Sequence, residues 1–369
     1  MVEQPAARPA ATSDSSSPII HLSPGSTPSS AAARAIRPGR GSQPVLISRT
    51  PLRVSFVGGG SDVVSFSAEH GGAVVSTTID KYVYVAVNKR FEETTRVSYS
   101  RTEIVSSIDE LEHELAREAL RTAGIPRGTE IVTIADVPSE GTGLGSSSAV
   151  TVGLLNALFA YQGILKSPGD LAEEAARIEI DVLGKPIGKQ DQYAAAFGGL
   201  QLLEFGPGSR VSRTPLVLTD EQRQALGRNL LMFHTGRVSS GEPLERLDAV
   251  AGEPETVARL EQLRDDALAL FRELSGGAGL DVLGEAMHES WQRKRELPGV
   301  TDDQIDRWYE AARAAGATGG KLLGSGSGGF LLVYVPVERQ ADVRRALGDL
   351  RELPFVPESE GTRIIHVGR

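Results

Sequence analysis

Cysteine is absent from all 369 residues. That excludes disulfides, thiolate zinc sites and a cysteine nucleophile together. Histidine is sparse: the six residues are scattered, with no His-x-x-x-His or similar ligand pair, which disfavours a transition-metal site. A metal held by oxygen ligands remains open. No apolar run approaches the roughly 18 residues that cross a bilayer, so a soluble, cytoplasmic protein with no membrane partner is expected. Positive charge is also short, with 39 Lys and Arg against 48 Asp and Glu and a formal net charge of -9. An acidic body repels phosphodiester backbones, which disfavours nucleic-acid partners but leaves a locally positive site for small phosphorylated molecules.

What is present falls into three parts. Residues 1–43 are rich in Ala, Ser, Pro and Gly without hydrophobic periodicity, and read as a disordered tail. Their basic, Ser-containing composition also resembles a transit peptide, the less favoured reading. The regular pattern from Val45 onward divides near residue 215 into an N-terminal domain, 44–215, and a C-terminal domain, 216–369. Strands are expected at Val45–Ser48, Leu52–Val57, Ala73–Thr78, Tyr82–Val87, Arg96–Ser100 and Glu130–Ile134, then at Leu200–Phe205, Leu230–His234, Phe330–Val335 and Arg363–Val367. Helices are expected over Ile108–Ala123, from Gly145 to Tyr161, and from Pro168 to a stop at Gly184. Further helices fit Pro254–Leu274, Asp281–Arg295, Asp302–Ala315 and Glu338–Leu350, with Thr301 and Gln304 at capping-box spacing. Strands cluster first and then mix with helices without steady βαβ alternation, which favours an α+β fold over a doubly wound sheet.

The segment from Asp136 to Val150, D-V-P-S-E-G-T-G-L-G-S-S-S-A-V, follows a strand and opens a helix. Its glycines let backbone approach a ligand closely, and a helix N-terminus offers unpaired N–H groups and partial positive charge. Serine hydroxyls beside them can donate to phosphate or ligate a cation. Together these features describe an anion cradle. A dinucleotide fingerprint would want glycine at Ser146, a P-loop needs Gly-Lys-Ser/Thr, and protein-kinase signatures are missing.

Pro138 followed by Gly143-Leu-Gly-Ser-Ser147 resembles the second motif of the GHMP kinase superfamily. Arg49-Thr-Pro-Leu-Arg53 through Gly58-Gly-Gly-Ser-Asp62 resembles the first motif, and Gly316 through Gly329 the third. Three matches in order span roughly residues 45–335. The resemblance implies a two-domain α+β fold: an N-terminal domain like ribosomal protein S5 domain 2 and a ferredoxin-like C-terminal domain. It also implies ATP as donor, Mg²⁺, and a small-molecule sugar acceptor.

Carried over residue by residue, Gly141, Thr142, Gly143, Leu144, Gly145, Ser146, Ser147 and Ser148 are expected to hold the nucleotide. Asp191, among neutral amide and small apolar residues, resembles the catalytic aspartate, with Arg53 as its cationic partner; it also reads as a helix N-terminal carboxylate. Glu179 with Ser147 would hold the metal, unless Glu179 merely solvates its helix. Gly59, Gly60, Ser61 and Asp62 are expected to meet sugar hydroxyls, the less favoured reading of Asp62 being a tight turn closed by an Asx bond. Lys189, Gln190, Gln192 and Lys321 complete the expected acceptor set, Lys321 reading equally as a surface lysine.

Within the superfamily the motif combination looks most like the heptose kinases, which phosphorylate the anomeric hydroxyl of a heptose 7-phosphate. The related fucokinase branch acts on an unphosphorylated sugar, and galactokinase's Glu-His-Thr-Asp is replaced here by Gly59-Gly60-Ser61-Asp62. A 7-phosphate would need Lys185, Lys189, Arg237 or Lys321. A non-catalytic sugar and ATP sensor is disfavoured, because Arg53, Ser147, Glu179 and Asp191 are all present.

Overall fold

The structure, a computed structural model, describes Met1 and residues 45–138, 141–239 and 241–368. The expected tail therefore lies outside the described residues, apart from Met1. In chain order the N-terminal elements are β1 (Leu46–Val57), α1 (Val64–His70), β2 (Gly72–Lys89), β3 (Thr95–Ser98), β4 (Thr102–Val105), α2 (Glu114–Ala123), β5 (Thr129–Ala135), α3 (Ser146–Tyr161), α4 (Pro168–Ala176), α5 (Gln190–Phe197), β6 (Gln201–Gly206) and β7 (Arg210–Pro215). They are followed by α6 (Asp220–Asn229), β8 (Leu230–His234), α7 (Glu242–Val250), α8 (Pro254–Ser275), α9 (Val282–Lys294), α10 (Asp303–Ala314), β9 (Gly319–Leu322) and β10 (Phe330–Tyr334). The chain closes with α11 (Gln340–Ala346), β11 (Arg351–Leu353), β12 (Pro357–Glu358) and β13 (Arg363–Val367).

Among the described residues nine strands form one sheet with the path β13-β1-β2-β5-β3-β4, to which β12 and β6 add on β2 and β7 on β6. Among the described residues only β3 and β5 pair in parallel. A second, antiparallel sheet runs β11-β8-β10-β9. Predominantly antiparallel sheets with helices packed against them make the fold α+β. The expected boundary near 215 falls between β7 and α6, yet the last strands, β12 and β13, return to the first sheet.

The four strands expected before residue 90 are two long ones. β1 continues through Arg49-Thr50-Pro51, and β2 through Asp80-Lys81. A register shift between Pro51 and Leu52 reconciles them: Pro51 faces Tyr82 and Leu52 faces Ile79. The bulge lets Asp80 and Lys81 leave the β1 ladder, and a proline at such a point removes no needed donor. Helix α3 lies directly on these strands. Its glycine at 153 allows the approach, Ser48 Oγ donating to Gly153 O at 2.8 Å. The helix is buried on nearly all sides, as its uniformly apolar sequence demands.

Several expected helices begin or end elsewhere. Ile108–Ala123 divides into a short turn at Ile108–Glu110 and α2, because Ser107 and His113 each supply a separate cap. The helix from Pro168 widens into a π-helical turn over Arg177–Val182. Asp302, rather than Thr301, caps α10, its Oδ1 accepting from Gln304 N and Ile305 N at 3.0 Å. The segment 338–350 retains only α11, after a single turn. The C-terminal helices build a second core around Trp291, Tyr309 and Phe233, while Ala267 and Leu270 of α8 pack into the first.

Candidate active site

Backbone geometry brings the three glycine-rich motifs together. Arg53 N, on β1, donates to Leu144 O at 3.0 Å, tying the first motif to the loop before α3. Gly324 of the third motif packs against Gly143: a Cβ at Gly324 would stand 2.5 Å from Gly143 Cα, and one at Gly143 would stand 2.4 Å from Leu323 O. Both residues hold left-handed backbone, with φ of 71° and 82° for Gly143 and Gly324. Any side chain would part the two segments. The unpaired N–H groups of α3 therefore open beside a contact sealed by backbone alone.

Beneath that opening lies a cleft of about 240 Å³. Arg53 spans it, Nε and Nη2 donating to the two oxygens of Asp191 at 2.7 Å each, and Nη1 donating to Gly143 O at 2.7 Å. The expected catalytic pair is thus a bidentate ion pair anchored to the glycine loop. Asp191 lies in the first turn of α5, a helix not among those expected by periodicity. The helix-terminal and cleft-facing readings of Asp191 turn out to be compatible.

Asp62 is buried, its Oδ1 accepting from Gly60 N at 3.0 Å and Oδ2 from Gln190 Nε2 at 2.8 Å. Burial raises its pKa, with the Gly60 N–H opposing and the Asp191 charge adding to the rise. The Asx-type bond to Gly60 and the cleft position again coexist. Gln190 Oε1 is buried without a partner, an acceptor left open beside Asp62.

Glu179 does not solvate its helix. The π-helical turn directs it inward, fully buried, where Oε1 accepts from Gln192 Nε2 at 3.0 Å and Oε2 has no partner. Burial pushes its pKa up to about 7, against opposing contributions from Gln192, Lys185 and Ser148. An orphaned carboxylate oxygen lining the same cleft as the exposed Ser147 fits a hard cation. Among the described residues no cluster of three His, Asp or Glu could hold a metal alone. One carboxylate, a hydroxyl and substrate phosphates is the usual arrangement for Mg²⁺.

The expected nucleotide residues Gly141, Thr142, Gly143, Gly145, Ser146, Ser147 and Ser148 line this cleft, whereas Leu144 is buried as packing. Gly60, Asp62 and Gln190 line it too. Gln192 lies behind it, bridging Ser148 Oγ and Glu179, both at 3.0 Å. Ser61 Oγ is engaged by backbone, within bonding distance of Gly58 O at 2.8 Å and accepting from Ala73 N at 3.1 Å. Gly59 is buried and does not line the cleft, its Cα facing Ser55, Lys294 and Gln190, which do. Lys189 pairs with Glu173 at 2.8 Å, outside the cleft. Lys321 is buried rather than on the surface, its Nζ donating to Ser55 Oγ at 3.2 Å. Burial and the neighbouring Lys294 lower its pKa well below the ordinary lysine value.

Lys294, at the end of α9, was not anticipated. It lines the cleft, buried, with Nζ donating to Gly324 O at 3.1 Å. Burial brings its pKa down to about 8, the Asp62 carboxylate opposing. Helical spacing held the signal: Leu283, Met287, Trp291 and Lys294 share the buried face of α9. In sequence the residue reads as an ordinary cation in a helix's last turn.

Three glycine-rich motifs thus meet at one helix N-terminus, beside an Arg–Asp pair and an inward glutamate. Residues 101–199 match the GHMP kinases N-terminal domain and residues 268–352 the GHMP kinases C-terminal domain, so the chain belongs to the GHMP kinases. It is a sugar kinase of that family, a phosphotransferase with an alcohol group as acceptor. GHMP kinases take ATP as phosphate donor, generally with Mg²⁺. The chain is 28% identical to the D-glycero-alpha-D-manno-heptose 7-phosphate kinase of Campylobacter jejuni, covering 84% of this chain and 96% of that protein. It is 26% identical to the bifunctional fucokinase/GDP-fucose pyrophosphorylase of Arabidopsis thaliana, covering 82% of this chain but only 31% of that longer one. The crystal structure of a D-glycero-D-manno-heptose 1-phosphate kinase from Bacteriodes thetaiotaomicron superposes with a TM-score of 0.72 at 25% identity, over 88% of this chain and all of that one. Among the described residues no helix is long and apolar enough to cross a membrane.

Proposed function

We propose that the protein transfers the γ-phosphoryl group of ATP to the anomeric hydroxyl of D-glycero-D-manno-heptose 7-phosphate, giving the 1,7-bisphosphate used to make nucleotide-activated heptose. The observation that carries this reading is the bidentate Arg53–Asp191 pair fixed to Gly143 O, which sets a carboxylate beside the glycine-serine loop. The Campylobacter relative, by its name, supports the choice of sugar.

In this reading α3's N-terminal amides and the hydroxyls of Thr142, Ser146 and Ser147 bind the ATP phosphates. Asp62 and the open Gln190 Oε1 accept hydrogen bonds from sugar hydroxyls. The anomeric oxygen attacks the γ-phosphorus, the bond to the β–γ bridging oxygen breaks, and ADP leaves. Asp191 receives the hydroxyl proton as the new bond forms, while Arg53 keeps the carboxylate oriented. Mg²⁺ would sit on Glu179 Oε2 and Ser147 and neutralise phosphate charge. Of the four basic residues expected at a 7-phosphate, Lys185 lines the cleft, while Arg237 pairs with Asp302 outside it. Lys185 is therefore the residue the reading favours there.

The test is a phosphoryl-transfer assay over heptose 7-phosphate, fucose, galactose and mannose, with products mapped by phosphorus NMR. Preferential turnover of heptose 7-phosphate, with a new anomeric phosphate resonance, is expected. If a neutral sugar turns over and heptose 7-phosphate does not, the acceptor assignment fails.

A further inference from the structure

Lys294 stands where the phosphate side of the cleft meets the sugar side. Its Nζ donates to Gly324 O at 3.1 Å, and Gly324 abuts Gly143 of the glycine-serine loop. On the other side, a Cβ begun at Gly59 would lie 3.7 Å from Lys294 Nζ and 3.8 Å from Gln190 Nε2. An ammonium has three donors, and among the described residues one hydrogen bond is made. A lysine in this position, 7% exposed, is costly to keep charged without an anionic partner.

The surrounding charges say what kind of partner. Asp62, in the turn after β1, and Asp191, on α5, favour the charged ammonium; Arg53 on β1 and Lys321 on β9 oppose it. Arg53 and Asp191 largely satisfy each other through their two hydrogen bonds. Burial and mutual repulsion press both lysines toward the neutral form, and an entering anion reverses that pressure. The flanking Arg293 and Arg295 are occupied elsewhere, by Asp266 and by Asp306 and Glu310.

We propose that Lys294 is a further catalytic residue, its ammonium binding the oxygens of the phosphoryl group in transit between ATP and the sugar hydroxyl. The inference rests on the phosphotransfer reading but not on which sugar is the acceptor. It also couples the two halves of the chain, because α9 belongs to the C-terminal region while the Arg53–Asp191 pair belongs to the N-terminal one. Productive contact then needs both in register.

The experiment compares wild type, Lys294→Met and Lys294→Arg in the full chain, using whichever sugar the wild type turns over in the panel. Lys294→Met, of similar volume, should lower kcat about 10²–10³-fold, the range for removing one donor aimed at developing charge, with the KM for ATP within about threefold. Lys294→Arg should recover part of that loss. Wild-type kcat/KM should fall as pH rises through about 8, as the ammonium deprotonates, and that limb should vanish in the arginine variant. Calorimetry supplies a readout independent of turnover. Lys294→Met should bind MgADP normally but lose at least about tenfold in affinity for MgADP with aluminium fluoride and sugar, a mimic of the group in flight. The proposal is overturned if Lys294→Met keeps kcat within threefold, if activity instead rises through pH 8 as for a neutral amine base, or if the fluoroaluminate affinity is unchanged. Should Lys294→Met not fold, the wild-type and Lys294→Arg pH profiles decide the question.

Discussion

The Arg53 guanidinium and the Asp191 carboxylate share two hydrogen bonds of 2.7 Å, although the residues are 138 positions apart in sequence. A third bond from the same guanidinium reaches Gly143 O. Carboxylate and glycine-serine loop are thus mechanically one unit. Asp191→Asn keeps the shape and one acceptor but cannot take a proton. We expect kcat to drop about 10²–10⁴-fold while MgATP affinity stays near wild type and the thermal midpoint falls, because one Arg53 N–H loses its acceptor and the guanidinium its counter-charge. Unchanged steady-state kinetics would remove Asp191 from the chemistry.

Glu179 presents an oxygen with no partner, inside a cleft, at a position where burial lifts its pKa to about 7. Mg²⁺ binding needs the ionised carboxylate, so apparent Mg²⁺ affinity should weaken as pH falls through about 7. Without metal the sign runs the other way for stability. The folded state holds the proton more tightly than the unfolded chain, so this group's contribution is greatest below the ordinary glutamate range and is lost as pH rises through about 7. Glu179→Gln should flatten that stability profile and raise the Mg²⁺ concentration for half-maximal activity at least about tenfold. Thermal melts with and without Mg²⁺ at pH 5 and 8 read both effects.

Gly324 meets Gly143 across the two regions of the chain. Its φ of 82° and the 2.5 Å approach leave no room for a methyl group. Gly324→Ala should cost about 1–3 kcal/mol of stability and raise the KM for ATP more than that for sugar, because the displaced segment is the glycine-serine loop proposed to hold the ATP phosphates. Denaturant melts and two-substrate kinetics separate these effects. Wild-type values would show the contact to be pliable.

Ser61 and Lys189 were both expected at the sugar, yet Ser61 serves the backbone around Gly58 and Ala73 and Lys189 pairs with Glu173. Ser61→Ala should therefore act on stability, by about 1–3 kcal/mol, through the unsatisfied backbone groups it leaves. Lys189→Met should leave the sugar KM within about twofold, whereas Gln190→Ala should raise it at least about fivefold. A large KM effect at Lys189 would return it to the acceptor site.

The chemistry-bearing loops were legible because their residue types have few other uses. Gly143-Leu-Gly-Ser-Ser147 before an apolar run reads as a helix opening on an anion, and α3 begins at Ser146. Other features were hidden by local composition. Asp80-Lys81 and Pro51 looked like strand breaks, and only the pairing of β1 with β2 shows the bulge that absorbs them. Gln190–Phe197 carries no strong helical stripe, so the extent of α5 was set by packing, although Asp191 already read as a helix N-terminal carboxylate. Arg363–Val367 read as a strand and is β13, but its return with β12 to the first sheet is a long-range pairing that no local signal in the segment gives.

The sequence by itself determined the α+β class, the order of the three glycine motifs and the backbone, hydroxyl and amide groups gathered at the start of α3, since backbone freedom, hydroxyls and helix N-termini are local properties. Tertiary structure alone decided which charged residues face the cleft. It turned Glu179 and Lys294 inward, took Lys189 out, and buried Lys321, because those outcomes depend on partners from other elements, for Lys294 and Lys321 more than two hundred residues distant, and on burial that no single segment specifies.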